Sequence, residues 1–288
     1  MKQKIVFQAQ DNYVLGLAFT QDGKQLITCG MDSMINVWDT DSWERVRQFV
    51  GHENSANSLA LTPDQTTLVS GSTDATVRIW DFATGELRHT LRDRKKTVAT
   101  LALSPKGDRV AGASYGGRLA VWTIDGELVF ARAVIKKNLA SVRFSPDGSQ
   151  IATSGLGGEI HILDAATGEA ISTLAGHEIV TGGLYFLNAD TLLSYGYEQT
   201  LKWWDLANGT CIRTETPESK GIRGTLRAPS GKTLAIAFEG KVEMYDLETW
   251  TQIETIEAGT KAISSMTFSP DERSFVIGGA DKKVRLFR

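Results

Sequence analysis

The sequence predicts an all-β fold made of seven copies of one four-stranded antiparallel sheet. First, a Trp-Asp-like ending recurs every 41 or 42 residues along all 288 residues. Second, each repeat contains four short β-prone runs separated by turns. Third, no helical pattern or linker interrupts the repeats, which predicts one domain over residues 1–288. The seven endings are Trp38-Asp39, Trp80-Asp81, Trp122-Thr123, Leu163-Asp164, Trp204-Asp205, Tyr245-Asp246 and Phe287-Arg288.

The second repeat shows how each unit is built. Its β-prone runs cover residues 59–61, 68–72, 77–80 and 87–91, and turn residues such as Pro63 and Gly85 separate them. Alternating apolar and polar residues in runs of this length are typical of an antiparallel sheet. One such sheet cannot bury both of its faces, so we expect the seven sheets to stack around an axis.

The two ends of the chain predict how the stack closes. Residues 4–8 resemble a fourth strand that precedes the first complete repeat, and the last repeat stops at a third strand over residues 284–287. We therefore expect the N-terminal strand to pair with the last sheet and close the ring. Such pairing removes the open edges that would invite aggregation.

Composition narrows the classes of function. The net charge is −3 and the isoelectric point is about 5.9, which argues against a general nucleic-acid binder. No apolar run approaches the roughly 20 residues that span a bilayer, and the N-terminus lacks a secretory pattern. These features predict a cytoplasmic protein without membrane insertion. Cys29 and Cys211 lie in different repeats, and we expect both to be buried free thiols.

Several motifs resemble those of the WD-repeat β-propellers. They are the period, the Trp-Asp endings, the pairs Gly51-His52 and Gly176-His177, and the run over residues 70–74. The resemblance covers the whole chain and implies a seven-bladed β-propeller. It also implies a buried hydrogen-bond chain of His, Ser or Thr, Asp and Trp within a blade. The matching residues are His52, Ser70, Asp74 and Trp80 in repeat two, and His177, Ser194, Glu198 and Trp204 in repeat five.

The sequence motifs do not support a catalytic site or a metal site. Residues 112–116 spell G-x-S-x-G, but a strand follows them where a hydrolase nucleophile elbow needs a helix. The four histidines lack metal-ligand spacing. Ser70, His52 and Asp74 could be read as a triad, but the Trp80 indole would occupy the hydroxyl. The sequence therefore predicts no catalytic residue, metal or cofactor.

Residues that differ between the repeats indicate where a partner docks. In the family resembled, partners dock on the face formed by the connections entering each repeat and by the turns between second and third strands. The residue before the acid position of that turn is large and apolar or aromatic in five repeats. Alternatively, some of these rings pack between blades as core. The candidate contact residues are Tyr13, Leu15, Met31, Thr73, Tyr115, Leu156, Val180, Tyr197, Arg223 and Phe238.

Two of the entering connections are basic. A charge run is ordinarily just solvated surface. The family architecture places both connections on one rim in neighbouring blades, and this arrangement on an acidic protein favours an acidic partner. The basic residues are Arg92, Arg94, Lys95, Lys96, Lys136 and Lys137.

These observations favour a non-enzymatic scaffold that binds a protein or peptide on the face of the entering connections. We expect a monomer or a subunit of a hetero-complex, with no nucleic acid bound. The alternatives are a propeller hydrolase or lactonase with a funnel site, and a constitutive subunit of a larger assembly. The innermost strands supply no cluster of acids or metal ligands for the enzyme alternative.

Overall fold

A computed structural model describes residues 1–93 and 96–288 of the chain. Within these ranges the strands form seven four-stranded antiparallel sheets. The prediction of an all-β fold of seven such sheets is therefore confirmed. In the same ranges no helix is long and apolar enough to cross a membrane. The chain divides into two compact units, and the prediction of one domain over residues 1–288 stays a prediction.

Unit 1 contains Met1–Leu59 and Ser219–Arg288. It holds the first, sixth and seventh sheets. The strands are β1 (Gln3–Gln8), β2 (Val14–Phe19), β3 (Gln25–Gly30), β4 (Ile35–Asp39), β5 (Arg45–Phe49), β22 (Gly224–Arg227), β23 (Thr233–Ala237), β24 (Lys241–Asp246), β25 (Gln252–Glu257), β26 (Ile263–Phe268), β27 (Phe275–Gly279) and β28 (Lys283–Phe287).

Unit 2 contains Ala60–Glu218 and holds the third, fourth and fifth sheets. The second sheet begins with β6, which includes the boundary between the units. The strands are β6 (Ala56–Leu61), β7 (Thr67–Ser72), β8 (Val77–Asp81), β9 (Leu87–Leu91), β10 (Val98–Leu103), β11 (Arg109–Ser114), β12 (Arg118–Thr123), β13 (Leu128–Ala133), β14 (Leu139–Phe144), β15 (Gln150–Gly155), β16 (Ile160–Asp164), β17 (Ala170–Leu174), β18 (Thr181–Phe186), β19 (Thr191–Gly196), β20 (Leu201–Asp205) and β21 (Thr210–Glu215).

The N-terminal strand completes the seventh sheet. This sheet has the order β1-β28-β27-β26, and β1 runs antiparallel to β28. Ile5 lies opposite Leu286, and Phe7 lies opposite Val284. The predicted pairing of the N-terminal strand with the last sheet is therefore confirmed. It satisfies backbone groups of β28 that an open edge would leave without strand partners.

Packing between neighbouring sheets builds the core. Every residue of β7 is buried, whereas β9 has three exposed residues, one partly buried residue and one buried residue. Within its sheet β7 is paired with a strand on each side, whereas β9 is the outer strand and has a partner on one side. In unit 2, one apolar cluster joins Leu119 and Val121 of the third sheet to Val142 and Ile151 of the fourth. Within each unit, neighbouring sheets thus bury apolar faces against each other.

The outer strands share a β-bulge opposite the Trp-Asp position. In the first sheet Val37 pairs with Arg47 and Trp38 pairs with Arg45, so Val46 has no partner in the register. A bulge interrupts the ladder and twists the strand, which makes an edge a poor template for another strand. The bulged residues are Lys4, Val46, Arg88, Val129, Ile171, Ile212 and Ile253.

Candidate partner-binding face

Backbone hydrogen bonds attach the turn between second and third strands to the connection that enters the same sheet. In the first sheet, the Met31 N–H donates to the Tyr13 carbonyl at 2.9 Å. In the third, the Tyr115 N–H donates to the Thr97 carbonyl at 2.9 Å. The residue before the acid position is therefore held at the same end of its sheet as the entering connection. We call this end the entry face of a sheet.

Most candidate contact residues are exposed at this face. The largest exposed side chains among them keep between 41% and 50% of their surface accessible. Thr73 and Arg223 are also exposed, and Leu15 is partly buried within β2. The five large exposed residues are Tyr13, Met31, Tyr115, Leu156 and Tyr197.

Phe238 corrects one of the predicted contacts. In the second sheet five residues separate the paired Gly71 and Val77, whereas only four separate Ala237 and Val242 in the sixth. Phe238 therefore takes the first turn position, the place of Ser72, and not the exposed place of Thr73. Its side chain is only 1% exposed. Phe238 belongs to the core, which was the alternative interpretation of the aromatic residues.

Val180 is a second correction. Its backbone forms a β-bridge with Leu156, and its carbonyl accepts the Tyr197 N–H at 3.0 Å. Because side chains alternate along an extended segment, this pairing buries Val180 and exposes Ile179 instead. Ile179 keeps 56% of its surface exposed. Ile179 was not among the predicted contacts, although its position beside Val180 in the connection could have indicated it.

In unit 2 the turns and connections form one continuous path across three sheets. The Gly116 N–H donates to Asn138 Oδ1, and the Leu156 N–H donates to the Asn138 carbonyl, both at 3.0 Å. The Gly157 N–H then donates to the Ile179 carbonyl at 2.8 Å. Together with the Tyr197 bond to Val180, these contacts hold four exposed apolar side chains in order. We call them the apolar row: Tyr115, Leu156, Ile179 and Tyr197.

The basic residues lie beside the Tyr115 end of this row. A Cβ built on Gly116 would lie 3.9 Å from Lys96 Cγ. A Cβ on Gly117 would collide with the carbonyl oxygens of Ile135 and Lys137. The Tyr115 turn therefore packs between the connections that carry the basic residues. Arg92, Lys96, Lys136 and Lys137 are exposed, and Arg94 and Lys95 lie outside the described residues.

The fifth sheet contains a buried hydrogen-bond chain beneath the row. Trp204 Nε1 donates to Ser194 Oγ at 2.7 Å, and Ser194 Oγ lies 2.6 Å from His177 Nε2. Because the indole N–H occupies a serine lone pair, the serine hydroxyl donates to Nε2. This leaves the imidazole proton on Nδ1, which donates to Glu198. The chain ties the connection entering the sheet to its second and third strands.

The environment sets the ionisation of this pair. Burial lowers the pKa of His177, although its hydrogen bond to Glu198 opposes that effect. Burial raises the pKa of Glu198, but hydrogen bonds from Thr200 and His177 outweigh it and lower the pKa overall. The resulting state is a neutral imidazole that donates to an ionised carboxylate.

The first sheet builds a similar chain from other residues. Trp38 Nε1 and Gln10 Nε2 each donate to Thr28 Oγ1 at 3.1 Å. Asn36 Nδ2 donates to Gln10 Oε1 at 2.7 Å. Gln10 precedes Trp38 by 28 residues, the spacing of His52 and Trp80, so counting back from each tryptophan could have found it.

The sixth sheet ties its entering connection with a buried carboxylate. Ser219 Oγ donates to Glu243 Oε1 at 2.5 Å, and Tyr245 Oη donates to Oε2 at 2.8 Å. Lys241 Nζ lies 2.7 Å from Oε1. Burial raises the pKa of Glu243, but the hydrogen bonds from Lys241, Ser219 and Tyr245 outweigh it and lower the pKa. Hydrogen-bonded groups of different side chains thus rigidify the same end of the first, fifth and sixth sheets.

The second sheet shows part of its expected chain. Trp80 Nε1 donates to Ser70 Oγ at 2.9 Å, and both side chains are buried. The Asp74 carboxylate accepts the Thr76 N–H at 2.9 Å and orders its own turn. His52 is also buried. The Ser70 oxygen thus accepts the indole N–H, as the resemblance implies for the buried chain.

Among residues 1–93 and 96–288, no group of three or more His, Cys, Asp or Glu side chains is placed to hold a metal ion. Both cysteines are free thiols. Cys29 is buried as expected, and burial raises its pKa. Cys211 is exposed on β21, so the expectation that it is buried is wrong.

Residues 13–288 match the family model of the first β-propeller of IFT122. The chain belongs to this β-propeller family. The match includes all seven Trp-Asp-like endings and agrees with the seven four-stranded sheets. The resemblance to WD-repeat propellers is therefore confirmed, and each four-stranded sheet is a blade of the propeller.

Curated relatives match parts of this propeller chain. WD repeat-containing protein 3 of Homo sapiens is 34% identical over 116 residues, which are 40% of this chain and 12% of that protein. The target of rapamycin complex subunit wat1 of Schizosaccharomyces pombe is 30% identical over 98 residues, 33% of this chain and 31% of that protein. The periodic tryptophan protein 2 homolog of Mus musculus is 28% identical over 152 residues, 45% of this chain and 16% of that protein.

The matches thus span 12% to 31% of the length of these three relatives. The first is by name a WD-repeat protein, and wat1 is by name a complex subunit. These likenesses leave the partner unspecified.

Proposed function

We propose that this propeller is a non-enzymatic scaffold that binds a protein or peptide segment along the apolar row of unit 2. The observation that carries this proposal is the continuity of the row. Tyr115, Leu156, Ile179 and Tyr197 each expose between 41% and 56% of their surface, and backbone hydrogen bonds link their turns and connections. Exposed apolar side chains in such a row are typical of protein-binding surfaces.

The rigidity of the row supports binding at modest entropic cost. The buried chain of Trp204, Ser194 and His177 orders the connection that carries Ile179. Tyr197 also stacks on the buried Tyr195, with ring centroids 6.2 Å apart. Side chains that are already ordered lose little conformational freedom when a partner arrives. Tyrosine adds a large contact area and a hydroxyl that can bond to a partner backbone.

The variant pair Tyr115→Ala/Tyr197→Ala tests the row. The matched control is Ile171→Ala/Ile212→Ala, which removes two equally exposed apolar side chains of unit 2 from outer strands. Affinity capture from native lysate would compare both variants with the wild type. We expect the control to recover the wild-type proteins and the tyrosine variant to lose them. Equal recovery by all three would place docking elsewhere.

A second candidate role is that of a constitutive subunit in a larger assembly. The similarity to a target of rapamycin complex subunit favours it. Size-exclusion chromatography of the native extract would test it, since a subunit elutes with its complex and a free scaffold elutes near 31.4 kDa. A cytoplasmic location also remains a proposal, which cell fractionation would test.

The enzyme alternative has a separate test. A propeller hydrolase or lactonase would turn over simple esters or lactones and lose that activity on metal removal. We expect no turnover above the uncatalysed rate. Measurable hydrolysis that chelation abolishes would overturn the non-enzymatic proposal.

A further inference from the structure

The charges along the apolar row differ between its two ends. Lys96, Lys136 and Lys137 are exposed beside the turn that carries Tyr115. Glu159 and Glu178 are exposed farther along, in the turn that carries Leu156 and in the connection that carries Ile179. The row therefore runs from a basic end at Tyr115 to an acidic stretch before Tyr197.

Local packing brings the two glutamates to the same place. A Cβ on Gly158 would lie 3.3 Å from the Glu178 nitrogen and would collide with the His177 carbonyl. The turn that ends at Glu159 is therefore in van der Waals contact with the connection at Glu178. Glu159 Oε2 also lies 3.5 Å from His161 Nε2. Because burial lowers the pKa of His161 below its ordinary 6.5, the ring is neutral at pH 7 and does not offset the charge of Glu159.

We infer that the row binds an extended segment of a partner protein whose charges are separated into two blocks. Acidic residues of the segment lie beside Lys96, Lys136 and Lys137, and basic residues lie beside Glu159 and Glu178. Its apolar residues contact the row between them. This inference rests on the proposed docking function. It predicts a partner segment with separate acidic and basic blocks, where the sequence favoured an acidic partner. Complementary charges of this kind select the partner and its register more than they add affinity.

Four fluorescein-labelled synthetic peptides of equal length test the inference. All carry the same Leu and Tyr residues at alternate positions. In the block peptide the polar positions hold an acidic block followed by a basic block, and in the alternating peptide they hold the same charges in alternation. In the acidic peptide they hold only acidic residues, and in the basic peptide only basic residues. Fluorescence anisotropy then measures each dissociation constant. We expect the wild type to bind the block peptide about tenfold more tightly than the alternating peptide of identical composition.

Charge-reversal variants sharpen the test. Lys136→Glu/Lys137→Glu should shift the preference to the basic peptide, and Glu159→Lys/Glu178→Lys should shift it to the acidic peptide. All four side chains are exposed, so the fold should persist, and circular dichroism would verify this. Equal affinity of the wild type for block and alternating peptides, or unchanged preferences in both variants, would overturn the inference.

The Tyr115→Ala/Tyr197→Ala variant separates this inference from the proposed function. If peptide binding requires both tyrosines but ignores charge order, the docking row stands and the charge division is wrong. If no peptide binds the wild type, or if binding survives loss of both tyrosines, the row and the inference fail together. A labelled single-stranded oligonucleotide serves as a polyanion control, and binding as tight as that of the block peptide would overturn a protein partner.

Discussion

Ser194→Ala tests whether the buried hydrogen-bond chain stabilises the fifth sheet. The Ser194 hydroxyl accepts from Trp204 Nε1 at 2.7 Å and lies 2.6 Å from His177 Nε2. Alanine fits the same space, so the substitution removes the hydroxyl and creates almost no cavity. The indole N–H and the imidazole nitrogen then remain buried without their partner.

The size of the effect follows from these two groups. A buried polar group left without a partner costs about 1–3 kcal/mol, so two such groups cost about 2–6 kcal/mol. The unfolding entropy of a chain of 288 residues is about 0.6 kcal/mol/K at ~2.1 cal/mol/K per residue. A loss of about 3 kcal/mol therefore lowers Tm by about 5 °C. If unit 2 melts on its own, the shift is about twice as large because the unit holds roughly half the residues.

Urea unfolding followed by tryptophan fluorescence, together with calorimetry, would measure the change. Ser172→Ala on β17 is the control, a serine of the same unit outside the chain, and it should change stability by less than about 0.5 kcal/mol. Because Trp204→Phe removes the same donor bond, its effect should not add to that of Ser194→Ala. A loss below about 1 kcal/mol for Ser194→Ala, or strict additivity of the two variants, would refute the reasoning.

Three further predictions concern other positions. Phe238→Ala should lower the free energy of unfolding by about 3–5 kcal/mol without changing peptide affinity, because the side chain is core; a loss below about 1 kcal/mol in urea titration contradicts this. Trp250 has a left-handed backbone with φ 57° and stacks on Tyr245, so Trp250→Gly and Trp250→Ala both lose the stacking but only glycine relieves the strain. The glycine variant should be about 1 kcal/mol more stable than the alanine variant in thermal melts. Equal melting temperatures of the two variants would contradict this explanation. Hydrogen bonds from the Ser145 side chain and the Ser149 backbone hold the pKa of Asp147 at about 2, below its ordinary 3.8. The ionised Asp147 therefore stabilises the folded state above about pH 4, and this stabilisation is lost as the pH falls toward 2. Asp147→Asn should flatten the decline of the urea midpoint over this pH range. A slope equal to that of the wild type would contradict the prediction.

The fold could be predicted because its determinants are local and repeated. Each repeat carries its own turn residues and alternating strands, and seven copies reinforce one interpretation. The pairing of β1 with β28 also followed, since the first and last runs complete one repeat between them. The bulges on the outer strands were not predicted. They depend on the twist and pairing of β4 with β5 and its counterparts, for which the sequence has no distinct residue type.

The candidate site was only partly predictable. Counting from each Trp-Asp ending located Tyr115, Leu156 and Tyr197 at exposed positions. The same count placed Phe238 wrongly, because the turn of the sixth sheet is one residue shorter and shifts the positions counted back through it. The hydrogen-bond chain of the first sheet was missed since glutamine replaces histidine at Gln10. The arrangement is preserved because the Gln10 amide can also donate and accept hydrogen bonds, although the residue type differs from that of the repeat pattern.

The sequence by itself determined the number of sheets, their strand order and the closure of the seventh sheet, because these follow from periodicity and from the alternation of side chains along a strand. Only the tertiary structure decided which apolar residues face solvent. Val180 and Ile179 are adjacent and chemically alike, and the β-bridge of Val180 to Leu156 buries one and exposes the other. Hydrogen bonds between neighbouring sheets also align the row from Tyr115 to Tyr197. Such pairings join residues of different repeats, and no pattern within a single repeat can specify them.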